Sequence, residues 1–411
     1  MTAFDRIEPR MPDLLAELAP ARMPDYVESL LEQSAHTRQR PAWASLERWI
    51  PMDIASRAAP VRAVPWRLIA VLAVIGLLLV ALAVAAIGSR PAELPAPFGP
   101  ARNGQIVVGT TDGSIAVLDP TTLALTPLVD GDTDDGRPTF LHQGDRLAFV
   151  RRTLAGEELW VADADGSDRR LAIPAGPRLD WIDWTPDFSL AVRTKMEGGL
   201  STAVVVDLAS GTETPLGPGQ EVVAPTWRPG HDQIVFFTPD RGYYLVGADG
   251  SGLRPIPAAD GSSDQFSLSP DGRLMAYMTW QDPLALQGQI HVIDIDGGDD
   301  RIVTPEGEDG FAYIAPAFSP DGRRILADRH DVTDRYQVVV LDAGGQGPGV
   351  AIGPAYPSMT GGSNARWSPD GTQILADYDD DLAAWLLDAA GGPGRRLGFG
   401  FDGLTWQRLA P

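Results

Sequence analysis

FSLSPDGRLMAY (266–277), PAFSPDGRRILA (316–327) and ARWSPDGTQILA (365–376) are three versions of one repeating unit. Each closes an apolar run, turns through Ser-Pro-Asp-Gly and resumes with a second apolar run. Proline presets φ and glycine tolerates a positive φ, so the tetrad makes a tight turn between antiparallel strands. Weaker copies are PTFLHQGDRLAFV (138–150), IDWTPDFSLAV (182–192) and PTWRPGHDQIVFF (225–237). Aligning the residue that precedes the turn picks out Phe140, Trp184, Trp227, Leu268, Phe318, Trp367 and, near the end of the chain, Trp406 in LTWQRLAP. The intervals are 44, 43, 41, 50, 49 and 39 residues. A period in the forties with β-rich content predicts an all-β propeller.

Each unit reads as four strands. The first ends at the aromatic, and the second is an apolar run such as Leu147-Ala148-Phe149-Val150. The third is again apolar and ends in Asp: LWVAD (159–163), AVVVD (203–207), IHVID (290–294), VVVLD (338–342) and AWLLD (384–388). The fourth follows a Gly-rich turn, as in RRLAI (169–173) and RIVT (301–304). Strict alternation is blurred, as expected of strands covered on both faces by neighbouring blades. The ends of the repeat array predict closure. The first unit has QIVVGTT (105–111), SIAVLD (114–119) and ALTPLV (124–129) but no clear leading strand, whereas the last is a lone leading strand around Trp406. Joining them completes one blade and removes the open edges. That makes seven blades, within a range of six to eight; the alternative is a first strand at Phe98, with Trp406 left as an extra strand.

The aromatic-Ser-Pro-Asp-Gly units resemble the WD-like repeats of the TolB-like β-propeller superfamily over roughly residues 100–411. The resemblance implies the fold, and not an activity, because such propellers act as scaffolds, ligand binders and gating domains. The whole layout, with RQRPAW (38–43) and ERWIPM (47–52) ahead of the repeats, resembles a membrane-anchored bacterial group of uncharacterised function.

Ahead of the repeats, LIAVLAVIGLLLVALAVAAI (68–87) is twenty residues without a charge. As a helix it would be about 30 Å long, the thickness of a bilayer's hydrocarbon core. The expected organisation is a short-helical cytoplasmic tail at 1–67, a transmembrane helix at 68–88, a linker at 89–103 and the propeller at 104–411. Arg48, Arg57, Arg62 and Arg67 precede the span and only Arg90 and Arg102 follow closely, which favours a cytoplasmic N-terminus and an extracytoplasmic propeller. Trp66 stands where an interfacial anchor is expected. In the tail, Met11-Pro12-Asp13 and Met23-Pro24-Asp25 open two short helices. Tyr26, Val27, Leu30 and Leu31 share a face of the second, a surface for local packing or for a cytoplasmic partner. This layout resembles membrane-anchored anti-sigma factors in architecture, although His36 stands without any Cys.

The chain has 411 residues and no Cys, which excludes disulfides, thiolate metal sites and a Cys nucleophile. Its net charge is −22. Residues 1–67 hold nine Arg and nine acids, so the whole excess lies beyond the apolar run, where 46 acids face 24 bases. That argues against nucleic acid and against anionic surfaces as partners, and favours cationic or neutral ligands. No G-x-S-x-G elbow, HExxH or phosphate-binding glycine loop occurs; GGSNA (361–365) is the nearest approach. His142, His231, His291 and His330 are scattered over turns and one strand, and read as plain surface residues rather than metal ligands converging on the channel. DGDTDDG (130–136), DADGSD (163–168) and DIDGGDD (294–300) suggest calcium loops. However, Asp119, Asp207, Asp342 and Asp388 recur at the same turn, where an Asp caps its own backbone. Asp377 to Asp381 reads as a solvated loop.

No catalytic, cofactor or metal residues are therefore assigned. The expected function is a non-enzymatic, single-pass membrane protein whose partners are the bilayer through 68–88, a protein or small ligand at the propeller face and a cytoplasmic protein at the tail. A transmembrane anti-sigma-type regulator is the alternative, and a propeller hydrolase or lyase ranks last.

Overall fold

The computed structural model describes residues 98–410, except 131–132, 177–178, 180–181, 198–199, 217–220, 259–261, 283–286, 306–309, 346, 348, 358–362, 379–382 and 400, together with residues 72 and 74–76. Contacts divide the chain into units at 1–91 and 92–411. In the first, Leu72, Val74, Ile75 and Gly76 are helical and exposed. The rest of the expected span and the two tail helices lie outside the described residues. Among the described residues no helix is long and apolar enough to cross a membrane.

The second unit is built from antiparallel four-stranded meanders. Five sheets have four strands, and an eight-stranded sheet consists of two meanders, 262–302 and 311–357, joined by one parallel bridge between Gly288 and Ala312. The other meanders occupy 134–176, 182–216, 223–255 and 366–399. The remaining sheet joins the chain ends. Phe401–Leu409 pairs with Arg102–Thr110, placing Trp406 opposite Ile106 and Leu404 opposite Val108. Ile115–Leu118 and Leu125–Val129 follow outward. The strand around Trp406 therefore leads the first sheet, and Phe98 belongs to no strand.

The core explains why period-2 patterning is faint. Successive residues of one inner strand feed different clusters. Val107 packs with Phe140, Leu147 and Phe149 of the next sheet. Ile106 and Val108 pack with Leu375, Leu386 and Leu397 of the last. Further clusters join each following pair of sheets. Both faces of the strands are dry, so both sets of positions are apolar. Because the cluster between the first and last sheets closes the series, the sheets form a ring.

The linker before the first strand is pinned. Phe98 meets the His142 ring edge-on at 5.0 Å, and Arg408 donates to Gly99 O at 2.7 Å. The first strand begins at Arg102, inside the segment expected to be linker.

Candidate functional site

The repeat turn is a small hydrogen-bonded cage. The Ser269, Ser319 and Ser368 hydroxyls donate to Asp271, Asp321 and Asp370. The same oxygens accept from the backbone N–H groups of Leu274, Arg324 and Gln373 at 2.8–3.0 Å. Gly272, Gly322 and Gly371 hold φ between 68° and 71°. In the degraded turn Thr185-Pro186-Asp187, Phe188 takes that position at φ 55°.

The aspartates at the other turns act as expected from turn chemistry. Asp119, Asp207, Asp294, Asp342 and Asp388 each accept from backbone N–H groups two or three residues on. In DIDGGDD the acids are also paired: Asp296 with Arg228 and Arg254, and Asp294 with Arg273.

These carboxylates set an acid limit. Hydroxyl donors from Thr110, Ser167, Thr185 and Ser251 hold Asp112, Asp165, Asp187 and Asp249 below the ordinary value of 3.8, and the Ser210 amide does so for Asp207. A folded pKa below the unfolded one contributes stability above about 3.8 that is lost as pH falls through the folded value. Burial has the opposite effect on Asp183, pushed up to about 6, and on Asp328. Their contribution favours the folded state at low pH and is lost as pH rises through their folded values. The melting temperature should therefore be highest near pH 4, declining toward about pH 6 as Asp183 ionises and falling from pH 4 to 2 as the turn aspartates are protonated. A flat or rising profile from pH 4 to 2 would contradict this assignment.

The four histidines are not brought together. His291 is buried in its strand, 3.0 Å from Asp300 and against Tyr277. His330 stacks on Tyr336 at 4.1 Å. His231 contacts Pro229 O at 2.8 Å. His142 lies under Phe98, and burial together with the Arg408 charge pushes its pKa down to about 4. Among the described residues no three His, Asp or Glu side chains converge as a metal site.

Two positions on the inner strands carry information that the sequence reading missed. The residue before the aromatic reaches the next sheet. Thr405 Oγ1 accepts from Phe140 N–H at 3.2 Å, Asp183 Oδ2 from Trp227 N–H at 2.9 Å and Ser267 Oγ from Phe318 N–H at 2.9 Å. Each bond links equivalent points of consecutive units, so it ties the inner rim together. Three residues before the aromatic, the backbone takes a positive φ at Arg137, Ala224, Ala315, Asn364 and Gly403, and at all of these but Asn364 the strand bulges. Only one of these five is glycine, so four positions carry the steric cost of the left-handed region, about 1–2 kcal/mol each. A Gly search could not have found them; the Thr, Asp or Ser before the aromatic was visible as a recurring polar residue.

Three of these positive-φ residues, Arg137, Asn364 and Gly403, line two adjoining cavities. One, of about 340 Å³, is walled by Arg137, Thr139, Asp183 and Trp184 and by apolar residues including Leu159, Leu179 and Ile182. The other, of about 280 Å³, is walled by Asn364, Asp377, Phe401 and Asp402. Arg366 and Gly403 belong to both. Arg366 keeps access to water through the cavities but is surrounded by protein, so burial lowers its guanidinium pKa, with the Asp377 charge opposing. It donates Nη1 to Leu404 O at 2.9 Å. Arg137 pairs with Glu157 and donates to Leu179 O at 3.1 Å, and Asp402 pairs with Arg152. The site offers both signs of charge beside an apolar wall.

A closed series of four-stranded antiparallel meanders, packed face to face and joined at the chain ends, defines a β-propeller. No protein-family model matches the chain. The Tol-Pal system protein TolB of Bordetella pertussis is 30% identical over 159 residues, which is 38% of this chain and 36% of that protein. The chain thus spans about a third of the length of the curated relatives it first matches. Oligogalacturonate lyase from Vibrio parahaemolyticus superposes with a TM-score of 0.52 at 15% identity, over 72% of this chain and 92% of the lyase. The periplasmic gluconolactonase of Pseudomonas aeruginosa gives 0.52 at 17% identity, over 74% and 99%. The chain is thus similar to TolB over part of its length, and its domain has the β-propeller fold.

Proposed function

We propose that this is a single-pass membrane protein with a cytoplasmic N-terminus that displays a seven-bladed propeller outside the membrane as a non-enzymatic binding or sensing module. The uncharged run 68–87 and the arginine excess before it support the topology. The seven meanders, one of them completed by the last strand, support the blade number. The observation that carries the binding reading is the pair of adjoining cavities at the inner strands, concave and lined by a few charged groups beside apolar walls, as ligand pockets are. Binding proteins and enzymes share this fold, so the fold itself does not separate them.

The absence of cysteine makes topology directly testable. In intact cells a membrane-impermeant maleimide should label T121C, on an exposed turn of the first sheet, and should label S34C only after permeabilisation. The reverse pattern would overturn the display reading. Ligand incubated with the purified full chain should be recovered unchanged, and conversion to product would overturn the non-enzymatic reading.

A further inference from the structure

We propose that the two cavities form one site for a small zwitterion with an apolar side chain, a free hydrophobic amino acid, whose carboxylate is held by Arg366 at their junction. This rests on the binding-module reading and assigns that module a ligand class.

The junction sets the geometry. An amino acid sends a carboxylate, an ammonium and a side chain in three directions from one carbon. Arg366 stands between a polar cavity and a largely apolar one. Among the described residues its hydrogen bond is the single Nη1 donation to Leu404 O, which leaves the remaining guanidinium N–H groups for a carboxylate. The smaller cavity carries Asp402, whose Oδ2 is engaged by Arg152 while Oδ1 accepts no hydrogen bond from the described residues, so it can accept an ammonium. The larger cavity has Leu159, Leu179, Ile182 and Trp184 on its wall and room for about ten waters, enough for a leucine-sized side chain.

Charge decides between ligand classes. A simple anion on Arg366 would also meet Asp377, Asp402 and Asp183, of which Arg152 engages Asp402 through one oxygen. A simple cation would lie beside Arg366 and Arg137. A zwitterion matches both signs, which is how charged interfaces discriminate among partners. The excess of negative charge over the whole domain also disfavours a free anion.

The test uses the full chain purified in detergent, with calorimetric titration of L-leucine, leucinamide, N-acetyl-leucine and glycine. Leucine is expected to bind, and each of the other three, lacking one recognised group, at least tenfold more weakly. R366Q and D402N should each lower leucine affinity by tenfold or more. Because Arg366 also bonds the backbone of the closing strand, I182W provides a separate check: it fills the apolar cavity and should abolish leucine binding while the chain still melts cooperatively. N-acetyl-leucine or leucinamide binding as tightly as leucine would overturn the proposal, as would leucine failing to bind. If T121C is labelled from outside and leucine does not bind, the ligand assignment alone falls. If T121C is labelled only after permeabilisation, the display reading falls, and leucine binding still decides the ligand assignment.

Discussion

Removing residues 401–411 is expected to abolish cooperative folding of the propeller, although only one of the 28 strands among the described residues is lost. That strand supplies one of the two ladders of Arg102–Thr110, the other being with Ile115–Leu118. It also buries Leu404, with Phe401 and Trp406 packed on the cluster between the first and last sheets. Fully burying a side chain such as Leu404 is worth roughly 1.5–3 kcal/mol, and the half-buried Phe401 and Trp406 add smaller amounts. The lost ladder would expose Ile106, Val107 and Val108 along an unpaired edge. Together these losses approach the 5–15 kcal/mol that separates a typical folded protein from its unfolded state. Without disulfides, closure of the ring has no covalent substitute. The check is thermal melting followed by near-ultraviolet circular dichroism. A cooperative transition within about 5 °C of the intact chain would show that the seam is dispensable.

The second large effect is expected at Arg228. In the Trp-Arg-Pro-Gly turn it occupies the place that serine holds in the regular repeats. It is 3% exposed and reaches across to the following meander. Nε donates to Gly272 O at 2.7 Å, Nη1 to Gln233 Oε1 at 2.8 Å and both Nη groups to Asp296. R228M retains most of the stem but leaves the Gly272 carbonyl and the glutamine without a donor. Each buried group left unpaired costs about 1–3 kcal/mol. Asp296 is half-exposed and keeps Arg254, so its part of the loss is small. The expected destabilisation is about 2–4 kcal/mol, measured by urea unfolding. R254M, which removes the solvent-exposed partner of the same carboxylate, should cost less than about 1 kcal/mol. Equal costs for the two would mean that the clasp is a surface ion pair and not a buried joint.

The four-strand unit and ring closure were legible because they depend on local chemistry repeated along the chain. Pro-Asp-Gly turns, apolar runs ending in Asp and the complementary half-units at the two ends are all readable from spacing. The assignment of the repeated aspartates to turn caps was likewise available, since an Asp that bonds its own following amides needs no distant partner. The closing register of Trp406 opposite Ile106 was not, because it depends on a bulge that shifts the pairing between Asn103 and Ile106.

The site was much less legible. Arg366 and Gly403 are 37 residues apart, and Arg137 lies more than 200 residues before either. Only closure of the ring makes them neighbours. The positive-φ position three residues before the aromatic, which Arg137, Asn364 and Gly403 occupy, leaves no compositional trace, because the residues there are Arg, Ala, Ala, Asn and Gly. Asp183 carries no sequence mark either, yet its carboxylate accepts from Trp227 N–H and joins two sheets.

By itself, then, the sequence determined the repeat, the strand order within each unit, the meeting of the two ends and the uncharged run ahead of them. Each of these is written in periodicity, turn residues or charge, which act over a few bonds. Tertiary structure alone decided which polar side chains line the cavities and which are used up in holding the sheets together. That distinction depends on distances across the ring, where one carboxylate is neutralised by an arginine from another strand and one guanidinium is left facing open space.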